Sequence, residues 1–357
     1  MTFHNRVPVA DLCLVLVLIL PPLGCGSAGT RSDAQLQGDI VANMRTLVET
    51  DIVGLHQAAV DLQTAAPDAL AGWDPAGDGP ASLAAMKAAW TLTRDYWERI
   101  EGALAPLFPQ LDQSMDSRYE DNLTQLGGAG DPDPFDREGV TGMHAIERIL
   151  FAPGPAAVVD FESSMPGYAP AAWPASDPQA ATFKTGLCQR LVDDTQTLLD
   201  QWQSRVIDLG TVFSGLTGQM SAQSEKVSVA ANQQEESRYS QTTMIDLRSN
   251  LAGTRAIYAL FEPWLATKTY GTTLDANVLD AFARLDRTYS NVAGDDIPEP
   301  PPTWATNPTT PDNQHSPFGT LFLAVQQEVD PAQTGSAVDA MNHVARALNL
   351  PEFTRPP

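Results

Sequence analysis

The stretch DIVANMRTLVETDIVGLHQAAV, residues 39–60, carries apolar side chains at intervals of three and four residues. This spacing places them along one side of an α-helix, whereas a strand would alternate every second residue. The positions that share this side are Ile40, Met44, Leu47, Val48, Ile52, Leu55 and Val60. The stretch therefore predicts a long helix with one buried face.

The same spacing recurs along the rest of the chain, and strand alternation is almost absent. It predicts further helices over residues 82–107, 138–151, 181–209, 242–265, 275–292 and 321–348. Segments rich in Pro, Gly, Ala and Asp interrupt them at 67–80, 127–136, 153–178 and 296–317, while the Gln- and Ser-rich stretch 210–237 fits no clear pattern. We expect an all-α domain over residues 33–350, with halves at about 33–152 and 179–350. In such bundles, ligand sites lie between facing helices.

Composition narrows the classes of function. The chain has 357 residues, of which 43% are hydrophobic and 18% charged, so it is neither a disordered polyelectrolyte nor a polytopic membrane protein. Lys and Arg number 21 against 44 Asp and Glu, a formal net charge of −23. Such a surface repels phosphate backbones, so no nucleic acid is expected as a partner.

The N-terminus resembles an export signal. Residues 12–20, LCLVLVLIL, form an apolar run that is too short for a spanning helix and typical of a signal peptide. The sequence LGCGS at 23–27 resembles a lipobox, so we expect residues 1–25 to be a signal, Cys25 to be lipidated and 26–32 to be a tether. The alternative is ordinary secretion with cleavage near Ala28. Both place the protein in the periplasm or cell envelope, attached to the membrane through a lipid anchor at most.

The segment GMHAIE, residues 142–147, contains the sharpest chemical feature. His144 and Glu147 are three residues apart, so on a helix they lie on one side, one turn apart. An imidazole and a carboxylate placed in this way can ligate a metal ion. They can equally form a hydrogen bond with each other, and spacing alone does not separate the two.

A second candidate lies in the helix predicted over 82–107. Glu101 falls at the edge of an apolar stripe, between Trp97 and Phe108, where a carboxylate must pair with a cation, bind a metal or be protonated. Arg94 is the expected cation, and Glu98 lies further round, on a side expected to face solvent. The segment 111–121, LDQSMDSRYED, taken alone is a polar transition from helix to loop.

Four segments together resemble the imelysin-like family, especially its EfeO/EfeM branch of iron-uptake proteins. They are the ERIE of 98–101, the acidic segment 111–121, the GMHAIE of 142–147, and the EESRYS of 235–240 followed by Asp246 and Leu247. Trp97 stands where the family usually has Tyr, and Gly102 where it has Pro. The chain resembles the short form of the branch, without a cupredoxin domain.

The resemblance implies two packed four-helix-type bundles that bind iron outside the inner membrane. It implies an uptake system with a permease and a peroxidase as partners, while zinc or copper remain possible instead of iron. The implied ligands are His144, Glu147, Glu101 and Asp116. The side chains implied to hold these ligands are Arg118, Glu98 and Arg94.

Two other functions remain open at this point. The family carries a peptidase label, but neither a His-Glu-x-x-His segment nor a Ser/His/Asp set with supporting context is visible. The chain is alternatively a structural or ligand-binding helical lipoprotein that holds no metal. Convergence of His144, Glu147 and Glu101 around one small polar cavity would favour the metal-binding reading.

Overall fold

The computed structural model describes residues 31–74, 79–152, 160–232, 234–304 and 310–354. Within these residues every regular element is a helix and no strand occurs, which confirms the predicted all-α class. The α-helices are α1 (Asp33–Ala65), α2 (Gly79–Leu104), α3 (Pro109–Asp116), α4 (Tyr119–Gln125), α5 (Met143–Leu150), α6 (Asp160–Ser163), α7 (Asp177–Thr182), α8 (Gln189–Trp202), α9 (Leu209–Ser228), α10 (Thr243–Tyr258), α11 (Glu262–Leu265), α12 (Gly271–Ser290), α13 (Pro311–His315), α14 (Pro317–Val329) and α15 (Ala337–Leu348). The signal segment and Cys25 lie outside the described residues.

Helix α1 has the buried side that the sequence predicts. Its side chains at three- and four-residue intervals, from Leu36 to Leu62, are almost completely buried. Leu47 and Val60 lie at the edge of this side and are half-buried. The buried side faces α2 and α8, so burial of apolar surface is what joins these helices.

Two groups of helices share α2. One group contains α1, α2 and α8, and the other contains α9, α10, α12, α14 and α15. Helix α8 lies in the predicted half 179–350, yet it packs against α1 of the other half. Helix α2 contacts α1 as well as α9 and α10, so it has buried residues on more than one side.

Glycines allow α9 and α10 to approach α2 closely. A side chain at Gly253 of α10 would collide with the carbonyl oxygen of Arg99, and one at Gly215 of α9 would collide with that of Gly102. Because neither glycine carries a Cβ, the backbones come into direct contact. This contact brings the polar residues of three helices within hydrogen-bonding distance of each other.

Several predicted boundaries differ from the structure. The helix expected to continue to residue 209 ends at Trp202, and Val206, predicted on its apolar side, is 83% exposed. The unassigned stretch 210–237 contains most of α9. The helix expected from residue 138 begins at Met143, after Gly139 and Gly142 with positive φ. None of the helices in the described ranges is long and apolar enough to cross a membrane.

Candidate metal centre

The start of α5 is fixed against α2 and α3. Gly142 precedes the helix with φ of 90°, and a Cβ at this position would collide with the backbone of Ser114 and Met115. The Trp90 Nε1 group of α2 donates a hydrogen bond to the Met143 carbonyl oxygen at 2.9 Å. These contacts hold the first turn of α5 beside the end of α3.

Glu147 fixes the orientation of His144. The Glu147 Oε1 atom accepts hydrogen bonds from the backbone nitrogens of Tyr239 and Ser240 and from the Ser240 hydroxyl, at 2.8–3.1 Å. Its other oxygen lies 3.2 Å from Nδ1 of His144. A histidine that ligates a metal typically donates its second N–H to a carboxylate in this way. The imidazole is therefore oriented with Nε2 toward Asp116.

The Nε2 atom of His144 is buried and has no hydrogen-bond partner among the described residues. It lies 3.3 Å from Asp116 Oδ1 without forming a hydrogen bond to it. Ligand atoms of His144, Asp116 and Glu236 all lie within 4.8 Å of one another. Burial and Arg94 lower the pKa of His144, but the neighbouring carboxylates of Asp116 and Glu147 outweigh them and raise it.

Arg94 lies within the same cluster, and its side chain is 1% exposed. Its guanidinium contacts Glu98 and Asp116, and its Nη2 lies 3.2 Å from Glu236 Oε1. Its Nε lies 3.8 Å from Asp246 Oδ1, so four carboxylates surround one cation. Arg94, together with His144 and Lys226, outweighs the effect of burial on Asp116 and holds the pKa of that carboxyl below its usual range.

The cluster carries more negative than positive groups. Five carboxyl side chains with at most 10% exposure contribute to it, namely Glu98, Asp116, Glu147, Glu236 and Asp246. The cations that pair with them are Arg94 and Lys226, which leaves three more carboxyl groups than fixed cations. Such an excess of buried carboxylates is costly unless protons or another cation compensate it.

A cavity of about 690 Å³ leads to the cluster. It reaches Asp116 and Glu236, and its walls include the carboxyl groups of Glu101, Asp112 and Glu225. Burial, reinforced by the charges of Asp116 and Glu101, raises the pKa of Asp112 to about 8. The cavity is thus an acidic passage of a size that admits a hydrated ion.

The sequence profile of the imelysin family matches residues 41–346, a range that contains every side chain of the cluster and its passage. The chain belongs to the imelysin family. Iron uptake system component EfeM of Pseudomonas syringae pv. syringae is 28% identical over 208 residues, which are 57% of this chain and 58% of EfeM. EfeO of Yersinia pseudotuberculosis is 27% identical over 264 residues, 73% of this chain and 58% of EfeO.

A further similar protein is EfeO of Escherichia coli K12, which is 30% identical over 179 residues, 50% of this chain and 37% of that protein. The matches therefore cover less than two thirds of the length of these relatives. The predicted resemblance to the EfeO/EfeM branch of the imelysin family is confirmed.

The structure of this imelysin domain brings two of the four predicted ligands together. His144 and Asp116 face each other, whereas Glu147 lies behind the imidazole, on its Nδ1 side. Glu101 is at the edge of the cluster, with Oε2 3.6 Å from Lys226 Nζ and 3.2 Å from Gln219 Nε2. It lines the passage rather than packing between aromatic rings.

The three predicted supporting residues have different positions in the imelysin site. Arg94 lies among the carboxylates, although Glu101, its expected partner, is not one of the groups that it contacts. Arg118 lines the passage. The expectation that Glu98 faces solvent is wrong, because its side chain is 0% exposed. Helices α9 and α10 cover that side of α2, so a single buried stripe does not describe α2.

Sequence reasoning did not assign Glu236, Asp246 or Lys226 to the site. Glu236 and Asp246 belong to the EESRYS segment and the helix after it, which served only as a family resemblance. Two adjacent acids followed by Arg and Tyr in an otherwise Gln- and Ser-rich stretch are the signal that could have identified Glu236. Lys226 has a weaker signal, as a rare lysine within the unassigned stretch.

Proposed function

We propose that the chain is an extracytoplasmic metal-binding protein whose cargo is iron, held by His144, Asp116 and Glu236. The observation that carries this proposal is the buried Nε2 of His144, which lacks a hydrogen-bond partner among the described residues and faces two carboxylates. Glu147 holds the opposite nitrogen, so the lone pair on Nε2 is directed at these carboxylates.

The donor set supports a transition metal. One imidazole nitrogen with carboxylate oxygens suits iron or zinc, whereas calcium prefers an all-oxygen set. The excess of buried carboxyl groups supports a cation, and the acidic passage supports its entry by attraction. The naming of the relatives as iron uptake components supports iron as the cargo.

The same comparison supports a role in iron uptake. We propose that the protein is exported, that residues 1–25 are its signal, and that Cys25 carries a lipid anchor. We propose further that the bound ion passes to an uptake system with a permease and a peroxidase. Labelling of cells with radioactive palmitate, with a Cys25→Ala variant as control, tests the anchor.

Calorimetric titration with Fe²⁺ under anaerobic conditions, Fe³⁺ nitrilotriacetate, Zn²⁺ and Cu²⁺ tests the site. We expect saturable binding that His144→Ala abolishes and that His343→Ala, at a histidine 46% exposed on α15, leaves unchanged. Ligand at 100 times its Kd would raise the free energy of unfolding by about 2.7 kcal/mol, which thermal unfolding detects.

Two results would contradict the proposal. Equal binding by the protein and by His144→Ala would mean that surface carboxylates collect cations without a defined site. The absence of saturable binding for every ion would mean that the cluster is a structural part of the bundle.

A further inference from the structure

Lys226 is a second cation in the cluster, and its surroundings differ from those of Arg94. It lies in the last turn of α9, and its side chain is 6% exposed. Its Nζ lies 3.2 Å from Glu98 Oε2 and contacts Glu236. A hydrogen bond to Asn250 Oδ1 at 3.2 Å and the Glu101 Oε2 atom at 3.6 Å complete its environment. An ammonium group thus occupies the side of the cluster that faces α9.

The two cations differ in how firmly they are held. Arg94 has a planar guanidinium with carboxylates along its edges, and it is surrounded by four of them. Lys226 carries a compact charge on a flexible four-carbon stem and also lines the passage. The passage has a volume of about 690 Å³, so this stem has room to move outward.

Glu236 is the residue for which two cations would compete. Its carboxylate belongs to the group with His144 and Asp116 that is suited to an ion, and it is also the carboxylate that Lys226 contacts. A metal ion at His144 and an ammonium at the same carboxylate would repel each other strongly in a buried environment. The presence of one therefore disfavours the other at Glu236.

We propose that Lys226 is a built-in competing cation that pairs with Glu236 in the metal-free protein and moves into the passage when a metal ion binds. Glu101, whose Oε2 already lies 3.6 Å from the ammonium, and Glu225 on the passage wall pair with it there. This inference rests on the proposed metal site and adds a mechanism of exchange to it. In the metal-free protein the ammonium compensates part of the excess of carboxylates, and its return to Glu236 assists release of the ion.

Lysine labelling measures this movement directly in the unaltered protein. The sequence has four lysines, at positions 87, 184, 226 and 268, so an amine-reactive ester followed by mass spectrometry resolves each one. We expect Lys226 to be nearly unreactive without metal and to react at least about tenfold faster with saturating Fe²⁺ or Zn²⁺, since reactivity follows exposure. The other three lysines are internal controls, and His144→Ala should remove the increase.

A substitution provides the second measurement. Lys226→Met removes the competing positive charge and should tighten Zn²⁺ or Fe²⁺ binding by about tenfold or more, because the ion is no longer repelled by the ammonium. Lys184→Met, at a lysine that pairs with Asp68 at 3.0 Å, is the matched control and should leave affinity unchanged.

The outcomes separate this inference from the proposed function. Metal binding that depends on His144 without a change in Lys226 labelling would overturn the inference and leave the metal site standing. Weaker binding by Lys226→Met would also overturn it, because Lys226 would then support the site. No saturable binding of either ion would overturn both.

Discussion

Glu147→Gln separates the chemistry of the site from its shape. Gln has nearly the same volume as Glu, so the fully buried side chain keeps its packing. The substitution removes the negative charge of the carboxylate. Its Oε1 accepts three hydrogen bonds, and its Oε2 faces His144 Nδ1. If the amide nitrogen of Gln faces Nδ1, the imidazole must carry its proton on Nε2 instead, and the atom that faces Asp116 loses its lone pair.

The expected magnitudes follow from these contacts. A hydrogen bond to a charged acceptor contributes about 1.5–3 kcal/mol and one to a neutral acceptor about 0.5–1.5 kcal/mol, so three such bonds lose roughly 3 kcal/mol in total. For a domain of this size that loss lowers the Tm by roughly 5 °C. Loss of a carboxylate that orients a ligating histidine weakens metal binding by about 10- to 100-fold.

Differential scanning calorimetry and metal titration of the same samples measure both effects. Glu138→Gln, at an exposed position before α5, is the matched control and should shift neither the Tm nor the affinity measurably. A Glu147→Gln protein with the Tm and affinity of the unaltered protein would refute the assigned role of Glu147. A lower Tm with unchanged affinity would limit that role to folding.

Three further predictions concern the cluster and the helix contacts. Arg94→Met leaves four carboxylates without their guanidinium and should lower the free energy of unfolding at pH 8 by about 3–5 kcal/mol, measured by urea unfolding; a smaller loss at pH 8 than at pH 5 would contradict this. The pKa of Asp112 is raised to about 8, so its contribution to stability is present below the unfolded pKa near 3.8 and is lost as the pH rises through 8. Asp112→Asn imitates the protonated acid, so its Tm relative to that of the unaltered protein should increase from pH 4 to pH 9. An equal Tm difference at pH 4 and pH 9 would refute the raised pKa. Gly253→Ala should lower the free energy of unfolding by about 3 kcal/mol or more in urea titration, because its methyl group collides with the Arg99 carbonyl, whereas Gly38→Ala, with no atom nearby, should not.

The sequence predicted the helices whose burial is one-sided. Helix α1 follows its pattern closely, because one side faces the core and the other faces solvent. Helix α9 was not predicted, since its buried residues include Gln219, Gln223 and Ser224, which are polar. These amides form hydrogen bonds to Glu98 and Asn250 at 2.8–3.1 Å, so a polar sequence is buried without an apolar period.

The candidate site was predictable where its residues are close in sequence. His144 and Glu147 are one helical turn apart, so local geometry already places them together. Glu236 is distant from both in sequence and reaches them only because α9 and α10 approach α2 at glycines. A single sequence does not show which helices pack against each other, and Lys226 was missed for the same reason.

The side chains of the cluster come from positions 94 to 246 of the chain, and this separation determines the stage of folding at which the cluster forms. An unfolded chain presents scattered imidazoles and carboxylates, which compete poorly for an ion. The centre forms only after α3 and α5, as well as α9 and α10, have packed against α2, a step that closes long loops of chain. Metal binding would then occur only in the fully folded protein, and a partly folded chain would bind no ion.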